Sequence, residues 1–576
     1  MTTEATAIRF IHPQIVPLHF ICLYPQYATE QRYVFITICF SIALVEVIMI
    51  PIKDLTLGYA DAENYKRREN KELLNKVFIR DNHLSRLCEP NISFLVGEKG
   101  TGKTAYSIYL SNNNINNTLA TTKYIRETEY QKFITLKSEK HLNLSDFSGI
   151  WKVILYLLIS KQVLDKEGKI SKLLNYSKFS SLNDAIDEYY LKAFSPEIIQ
   201  ALSFVQESKV AAELLHKHAT LKGEERESLS FSESRFQINL FYIQKKFEEA
   251  FSQIRLSQNH ILFIDGIDIR PSSIPYDDYL ECIKGLAHAV WEINNDFFPS
   301  IKGGKGRMKA VLLIRPDIFE SIGLQNQNAK IRDNSVFLDW RTEYVNHRSS
   351  QLFEVLDHLL RTQQDMALKK GQAWDHYFPW DSPNVHDNYN HPTSFINFLR
   401  WSYYRPRDIL RMLEIIKSHA SGDDGKNQFS LDDFESPSMQ RDYSNYLLGE
   451  IKDHLSFYYG SEHYEIFLKF FEFLSGKDTF DYAEYLLAYK QLETHISSIS
   501  TTKPKFMTTA NDFLQFLFGL NVICYIETTE DNNRFIRWCF RERSYANISP
   551  KIKTGMKYQI FYGLAKALNV GKALKK

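Results

Sequence analysis

Short apolar runs that no polar residue interrupts form the clearest pattern along the chain. Such runs cover Phe94–Val96, 261–264 and 310–314, and a similar strand-like segment covers 335–338. An apolar run of this length is typical of a strand buried on both faces, as in a parallel sheet with helices on either side. The pattern therefore predicts an α/β fold with a parallel sheet.

Helical periodicity dominates the long stretch between the first two runs, which spans about 160 residues and exceeds what a minimal connection needs. The predicted helices cover 144–163, 183–194 and 236–254, and another starts at Ser195. The charged segment 207–234 predicts a loop or hairpin. We therefore expect a large helical insertion over about 140–258, whose apolar stripes belong to the core.

The C-terminal part follows a polar break at 421–426, which predicts a boundary or hinge. Beyond it, three helices precede two alternating strands that are joined by a turn at 530–533. The predicted elements are helices over 464–474, 482–489 and 508–518, with Thr508 or Thr509 as a cap, and strands over 522–526 and 535–540. Three helices followed by such a hairpin predict a winged-helix-like domain.

A glycine-rich loop follows the first strand, with the pattern Gly-x-x-x-x-Gly-Lys-Thr over 97–104. Glycines let the backbone curl so that its N–H groups point at a phosphate; the lysine bridges the β- and γ-phosphates, and the Thr hydroxyl binds Mg²⁺. The strand before the loop and the helix pattern after it argue against a turn with an incidental lysine. The loop therefore predicts a Walker A site that binds ATP or GTP. Its expected binding residues are Gly97, Gly100, Thr101, Gly102, Lys103, Thr104 and Ala105.

Asp265 ends the second apolar run and is the predicted Walker B residue. With Thr104 it is expected to hold Mg²⁺ at the carboxyl edge of the sheet. Asp268 is expected to orient or deprotonate the attacking water, a cap on the next turn being the alternative. Many P-loop ATPases place a glutamate directly after the metal-binding aspartate, where this chain has Gly266. We therefore expect slow hydrolysis, or a substitution of this role by Asp268.

Arginines follow other predicted elements and are candidates for contacts with phosphate. Arg315 ends the third apolar run and is expected to sense the γ-phosphate, an ordinary surface ion pair being the alternative. Arg405 and Arg407 begin a predicted helix and are expected to lean over the nucleotide from a helical lid, with surface solvation as the alternative. Arg332 and Arg341 are candidates for an arginine finger that acts on a neighbouring subunit. The expected catalytic residues are Lys103, Asp265, Asp268 and Arg315.

This combination of glycine loop, Asp-Gly-hydrophobic-Asp strand end and Arg-Pro-Arg-Asp helix start resembles the STAND and AAA+ branch of P-loop NTPases. Within that branch, the segment 57–65, Cys88-Glu89-Pro90 and the loop itself resemble bacterial FunZ-like P-loop ATPases. The likeness covers the chain from about Leu57 to its C-terminus. It implies an ATP-dependent regulatory ATPase, associated with phage or mobile-element defence. We also expect an oligomer of identical subunits. The resemblance, together with the lack of a guanine-reading Asn-Lys-x-Asp stretch, favours ATP over GTP.

Composition changes this picture little. The formal net charge of +1 gives no support to a broadly nucleic-acid-coating surface, although a local basic face stays possible in the C-terminal part. DNA binding by that part is therefore the alternative function, with candidate phosphate contacts at Arg534, Arg537, Arg541, Arg543 and the terminal lysines. Six scattered cysteines fit a reduced cytoplasmic protein better than a disulfide-linked one.

The first fifty residues differ from the rest, since they contain no lysine and 33–50 is almost wholly apolar. Three interpretations stay open: a membrane or peripheral anchor, a packed apolar segment, and an initiation at Met49. Including this segment, we expect four regions. They are an N-terminal extension (1–52), a nucleotide-binding core with the helical insertion (53–345), a helical lid (346–425) and a winged-helix-like domain (426–576).

Overall fold

The computed structural model describes residues 49–125, 144–167, 233–272, 274–385, 389–420, 426–460, 462–499 and 503–571. Among them, five parallel strands form one sheet with the order β2-β3-β4-β1-β5. The strands are β1 (Phe94–Val96), β2 (Thr118–Tyr124), β3 (Asn259–Asp265), β4 (Met308–Ile314) and β5 (Ser335–Phe337). The predicted parallel sheet and all four of its predicted strands are confirmed, and β2 is an addition.

The parallel pairing of the strands brings their carboxyl ends to one edge of the sheet. Val96 pairs with Ile314 on one side and with Phe337 on the other, and Ile264 pairs with Leu312. Since β4 lies between β1 and β3, the residues that follow these three strands are neighbours in space. Ligands bind at such an edge in open α/β sheets.

Alternate residues of the strands other than β2 enter separate hydrophobic cores, which explains the uninterrupted apolar runs. Leu262 and Leu312 point into one core, whereas Phe263 and Val311 point into the other. All side chains of β1, β4 and β5 are thereby removed from water, as are those of β3 after Asn259, which stabilises the sheet by about 25 cal/mol per Å² of apolar area.

Helices cover both faces of the sheet, and they are numbered here in chain order. Those up to the end of the sheet are α1 (Lys71–Val77), α2 (Asn82–Leu87), α3 (Lys103–Asn112), α4 (Leu144–Glu167), α5 (Glu233–Gln253), α6 (Tyr276–Glu292), α7 (Pro316–Ile322) and α8 (Gln327–Asp333). Helices α1 to α3 contribute to one core, and α4 to α8 contribute to the other.

The helices α4 and α5 confirm the predicted helical segments at 144–163 and 236–254. The other predicted features of the insertion, at 183–194, Ser195 and most of 207–234, lie outside the described residues; Glu233 and Ser234 already belong to α5. One described helix segment, Phe147–Glu167 of α4, is long and apolar enough to cross a membrane, and 72% of its apolar window is buried inside the protein. Core helices of soluble proteins meet the same criteria, and the predicted anchor at 33–50 lies almost wholly outside the described residues.

The rest of the described chain is helical up to a second, smaller sheet. Its helices are α9 (Gln351–Arg361), α10 (Gln372–Tyr377), α11 (Ser394–Trp401), α12 (Pro406–Ala420), α13 (Leu431–Glu435), α14 (Pro437–Tyr458), α15 (Glu462–Phe473), α16 (Tyr482–Ser498), α17 (Ala510–Gly519) and α18 (Cys539–Glu542). The predicted helices at 464–474, 482–489 and 508–518 correspond to α15, α16 and α17. Thr509 caps α17, since its hydroxyl accepts a hydrogen bond from the Asp512 N–H.

The second sheet is antiparallel and has the order β6-β9-β7-β8. Its strands are β6 (Thr479–Phe480), β7 (Ile523–Thr528), β8 (Arg534–Arg537) and β9 (Lys557–Ile560). The predicted hairpin is confirmed, but the prediction that its second strand reaches residue 540 is wrong. The chain forms α18 there instead. Trp538 packs against Phe561 and Phe540 packs against Tyr403, and this tertiary packing ends the strand before residue 538.

The residues from Ile50 onward belong to one compact unit. The predicted boundaries near 345 and 425 fall inside this unit and stay predictions, and the predicted hinge at 421–426 lies outside the described residues except for Lys426.

Candidate functional site

The loop between β1 and α3 curls at the carboxyl edge of the sheet. The Gly97 N–H donates to the Ile314 carbonyl at 3.2 Å, which ties the start of the loop to β4. Gly100 and Gly102 have φ angles of +88° and +96°, a region that residues with a Cβ rarely adopt. Gly102 is also the N-cap of α3, so the loop leads directly into the positive end of a ten-residue helix.

A cavity of about 710 Å³ lies against this loop, within the range of small-molecule sites in proteins. Gly100, Gly102 and Ala105 border the cavity, together with most of the predicted site. The predicted site residues among its lining are Thr101, Lys103, Thr104, Asp265, Asp268, Arg315 and Arg407. The fold therefore brings together residues that are more than 300 positions apart in the sequence.

Lys103 is buried at the start of α3, with 8% of its surface exposed. Its Nζ donates to the carbonyls of Gly97 at 2.8 Å and Glu98 at 3.1 Å. Burial lowers the pKa of Lys103 to about 8, although the carboxylates of Asp268 and Asp265 oppose this shift. The ammonium is thus held in the loop by neutral oxygens, which a phosphate can replace.

Asp265 lies at the end of β3 and contacts the first turn of α3. Its Oδ2 accepts a hydrogen bond from the Thr104 hydroxyl at 2.6 Å, and its Oδ1 accepts one from the Gly266 N–H at 2.8 Å. Burial, together with the neighbouring Asp268, raises the pKa of Asp265 to about 6, against the opposing effect of Thr104 and Lys103. A buried carboxylate next to a hydroxyl is a suitable pair of ligands for a hard cation such as Mg²⁺.

Gly266 directly follows Asp265, at the position where many P-loop ATPases have a glutamate. The backbone conformation explains why this residue is a glycine. Its φ is +86°, and a Cβ atom there would lie 2.9 Å from the Ile125 carbonyl oxygen at the end of β2. No side chain fits this position without a backbone shift. Asp268, two residues on, is the next carboxylate that borders the cavity.

Arg315 is buried at the end of β4 and borders the cavity. Its guanidinium forms a bidentate pair with Asp317, with an Nε–Oδ1 distance of 3.1 Å and an Nη2–Oδ2 distance of 2.7 Å, and it lies 4.6 Å from the Phe457 ring centroid. Burial alone raises the pKa of Asp317, but Arg315 and His454 lower it well below its usual range. A fixed, fully charged guanidinium therefore faces the cavity.

The two arginines that begin α12 have different surroundings. Arg407 borders the cavity, its Nε donates to the Ala60 carbonyl at 3.0 Å, and its Nη1 lies 3.8 Å from the Glu450 carboxylate. Arg405 does not line the cavity; it forms a buried bidentate pair with Asp408 and donates to the Lys99 carbonyl at 2.9 Å. Arg405 thus braces the glycine loop from behind.

The two candidate arginine fingers also lie off the cavity lining. Arg332 is 76% exposed and pairs with Asp333 at 3.4 Å. Arg341 pairs with Asp339 and donates to the Arg541 carbonyl at 3.1 Å. A role across a subunit boundary stays a prediction for both.

Two parts of the cavity wall have no counterpart in the sequence analysis. One is α14, which supplies Tyr446, Glu450, Asp453 and Phe457. Its buried residues Met439, Tyr443, Leu447, Ile451 and Leu455 recur every four positions, a signal that predicts an amphipathic helix but no ligand contact. The other part is aromatic and apolar, and is formed by residues such as Tyr59, Phe78 and Tyr106.

Three of the four arginines that are candidates for DNA contact bind other groups of the protein. Arg537 donates to Glu527 at 2.9 Å, Arg541 donates to the Tyr404 hydroxyl at 2.5 Å, and Arg543 forms an ion pair with Glu98 of the glycine loop. The terminal lysines at 572, 575 and 576 lie outside the described residues. Each of these three arginines thus has a partner within the protein, although Arg537 stays 39% exposed.

Comparison of the chain with models of known protein families found no match, and comparison with curated proteins found none either. The assignment of a function therefore rests on the geometry of the cavity. Its central feature is the contact of Thr104 with Asp265. Lys103 is buried next to Thr104 at the start of α3, and the glycine loop connects this helix to the end of β1.

Proposed function

We propose that the protein is an ATP-binding, Mg²⁺-dependent ATPase of the P-loop type that acts as a regulatory switch. The observation that carries this proposal is the 2.6 Å contact between Thr104 and Asp265 at the mouth of a curled glycine loop that also holds Lys103. Two parts of the chain that are distant in the sequence meet there, the glycine loop with the start of α3 and the end of β3, and each carries a group that triphosphate binding requires.

In this proposal the phosphates lie against the loop and the N-terminus of α3. The backbone N–H groups of such a loop and the helix dipole both favour an anion. Lys103 exchanges its two carbonyl acceptors for phosphate oxygens, and Arg315 and Arg407 border the same space. Three cations then offset the negative charge of the triphosphate.

Magnesium, when bound, neutralises phosphate charge and would be held by Thr104 and Asp265. Mg²⁺ keeps several waters and takes only one or two protein ligands beside phosphate oxygens, so this pair of oxygens suffices. Asp268 borders the same cavity and is the candidate to orient or deprotonate the attacking water. Many P-loop ATPases have a glutamate for this role directly after the metal-binding aspartate. Because Asp268 lies farther along the chain, we expect slow turnover.

The base and ribose occupy the aromatic part of the cavity in this proposal. Phe78 and Tyr106 meet edge to face at a centroid distance of 5.0 Å, and the partly exposed Tyr59 lines the same cavity. Flat aromatic surfaces of this kind stack on a nucleobase. The assignment of adenine rests on the family resemblance.

The switch component rests on contacts between the loop and the C-terminal part, whose helices α15 to α17 and hairpin β7–β8 we interpret as a winged-helix-like domain. Arg543, directly after α18, pairs with Glu98 of the loop, and Arg405 donates to the Lys99 carbonyl. A ligand that rearranges the loop alters these contacts, which supplies the differential interaction that a switch requires.

Equilibrium binding of ATP with Mg²⁺ tests the proposal. Lys103→Ala should weaken binding about tenfold or more, because a charge-assisted hydrogen bond to phosphate is lost. Lys490→Ala, which removes a lysine from the exposed side of α16, is the matched control and should bind as the native protein does. Equal affinities for all three proteins would contradict the proposal.

A further inference from the structure

Helix α14 contacts the cations that border the cavity. Lys99 of the glycine loop lies between two of its carboxylates, 3.2 Å from Glu450 and 2.7 Å from Asp453. Glu450 also lies 3.8 Å from the Arg407 guanidinium. One carboxylate of α14 is thus shared by two cations from separate elements.

Glu450 is the more shielded of the two acids. Its side chain is 14% exposed, whereas that of Asp453 is 66% exposed. Ion pairs that are removed from water are screened less by salt and solvent, so the charge of Glu450 acts more strongly on its neighbours.

Both cations are tied to the backbone of the glycine loop. The Arg407 N–H donates to the Gly100 carbonyl at 3.4 Å, and the Lys99 carbonyl accepts from Arg405. Lys99, Arg407 and Glu450 all line the cavity. The carboxylate therefore lies where it neutralises charges that a polyphosphate would otherwise meet.

We propose that Glu450 is a positioning residue that competes with the nucleotide's phosphates for Lys99 and Arg407, so that phosphate binding releases α14 from the glycine loop. This inference rests on the proposed function of the cavity, and it names the element that responds when the cavity is filled.

The same helix connects the cavity to other parts of the protein. His454 lies 3.3 Å from Asp317, and Tyr458 donates to the same carboxylate, which holds Arg315. At the other end of the helix, the Ser444 hydroxyl accepts from the Ala567 N–H at 2.9 Å. A displacement of α14 therefore reaches both Arg315 and the C-terminal segment.

Titration of the full-length protein with ATP and with AMP tests this inference. Glu450→Gln keeps the shape of the side chain and removes its charge, so it should tighten ATP binding about fivefold and change AMP binding by less, because AMP carries fewer phosphates. Asp442→Asn removes one charge from the exposed, opposite end of α14, where Asp442 pairs with His419, and should leave both affinities unchanged.

The outcomes separate the inference from the proposed function. If the native protein binds no nucleotide, the proposed function falls and the inference with it. If the native protein binds ATP and Glu450→Gln binds it equally or more weakly, only the inference is overturned. Should thermal unfolding show that Glu450→Gln does not fold, Glu450→Asp, which keeps the charge and withdraws the carboxylate, should tighten ATP binding to a smaller degree. An unchanged affinity of that variant would overturn the inference as well.

Discussion

At the scale of single residues, the site depends on two buried ionisable groups whose pKa values have moved toward neutrality. Burial lowers the pKa of Lys103 to about 8 and raises that of Asp265 to about 6. Each group thus changes its charge close to physiological pH, whereas ordinary lysine and aspartate side chains do not. Perturbed values of this kind cluster at functional sites.

These shifts predict a bell-shaped pH dependence of Mg²⁺-dependent ATP binding. As pH falls through about 6, Asp265 takes up a proton and loses the charge that attracts magnesium; as pH rises through about 8, Lys103 loses the charge that attracts phosphate. Affinity should therefore be greatest between these values. Calorimetric titrations from pH 5 to 9.5 measure the profile.

Lys103→Ala is the control for that profile, because it lacks the group that titrates on the alkaline side. Its weaker binding should fall only on the acid side. A native profile that stays flat up to pH 9.5 would show that Lys103 does not contact the phosphates.

At the scale of elements, the glycine loop requires a backbone conformation that only glycine adopts readily. A Cβ atom on Gly102 would meet no atom within 4 Å, so the cost of a side chain there comes from its φ of +96° alone. Gly102→Ala should therefore lower the free energy of unfolding by about 1–2 kcal/mol. Urea denaturation measures this change.

Gly449→Ala is the matched substitution, since Gly449 lies inside α14 and its Cβ would also meet no atom within 4 Å. A helical φ makes alanine favourable there, so this variant should be more stable by about 0.4–1 kcal/mol. Opposite signs for the two substitutions are the expected result; a stabilised Gly102→Ala would mean that the loop does not curl as described.

The elements that the sequence predicts share one property: the burial of particular faces determines their pattern of apolar and polar residues. Strands β1, β3 and β4 are apolar because both of their faces are covered, and α17 has a capping sequence. Strand β2 was missed because Thr118–Tyr124 lies at the edge of the sheet and carries three threonines and a lysine. The alternation of Trp538 and Phe540 predicts a strand, but tertiary packing of the two rings favours α18.

The same reasoning separates the site residues that could be predicted from those that could not. Lys103, Asp265 and Arg315 directly follow strands or loops whose end must lie at one edge of the sheet, so their proximity follows from topology. Glu450 lies mid-helix in a segment with no motif, and only the packing of α14 places it at the cavity. Arg405 was expected over the nucleotide, but its neighbour Asp408 binds it in a buried pair.

At the scale of the whole molecule, the C-terminal part contacts the glycine loop directly. Arg543 pairs with Glu98, and Arg541 donates to Tyr404, which precedes Arg405 and has a φ of +55°. A bulky residue in this conformation is held by its surroundings at a cost of about 1–3 kcal/mol. These contacts link the cavity at the glycine loop to the C-terminal part, for which the winged-helix-like domain stays a prediction. Oligomerisation and cytoplasmic localisation stay predictions.

The most direct test of the central claim is a structure of the full-length protein determined with Mg²⁺ and a non-hydrolysable ATP analogue. The account predicts the triphosphate along residues 97–104, with Lys103 moved from the Gly97 and Glu98 carbonyls onto phosphate oxygens and Mg²⁺ held next to Thr104 and Asp265. An analogue bound elsewhere, with Lys103 still on the two carbonyls, would contradict it.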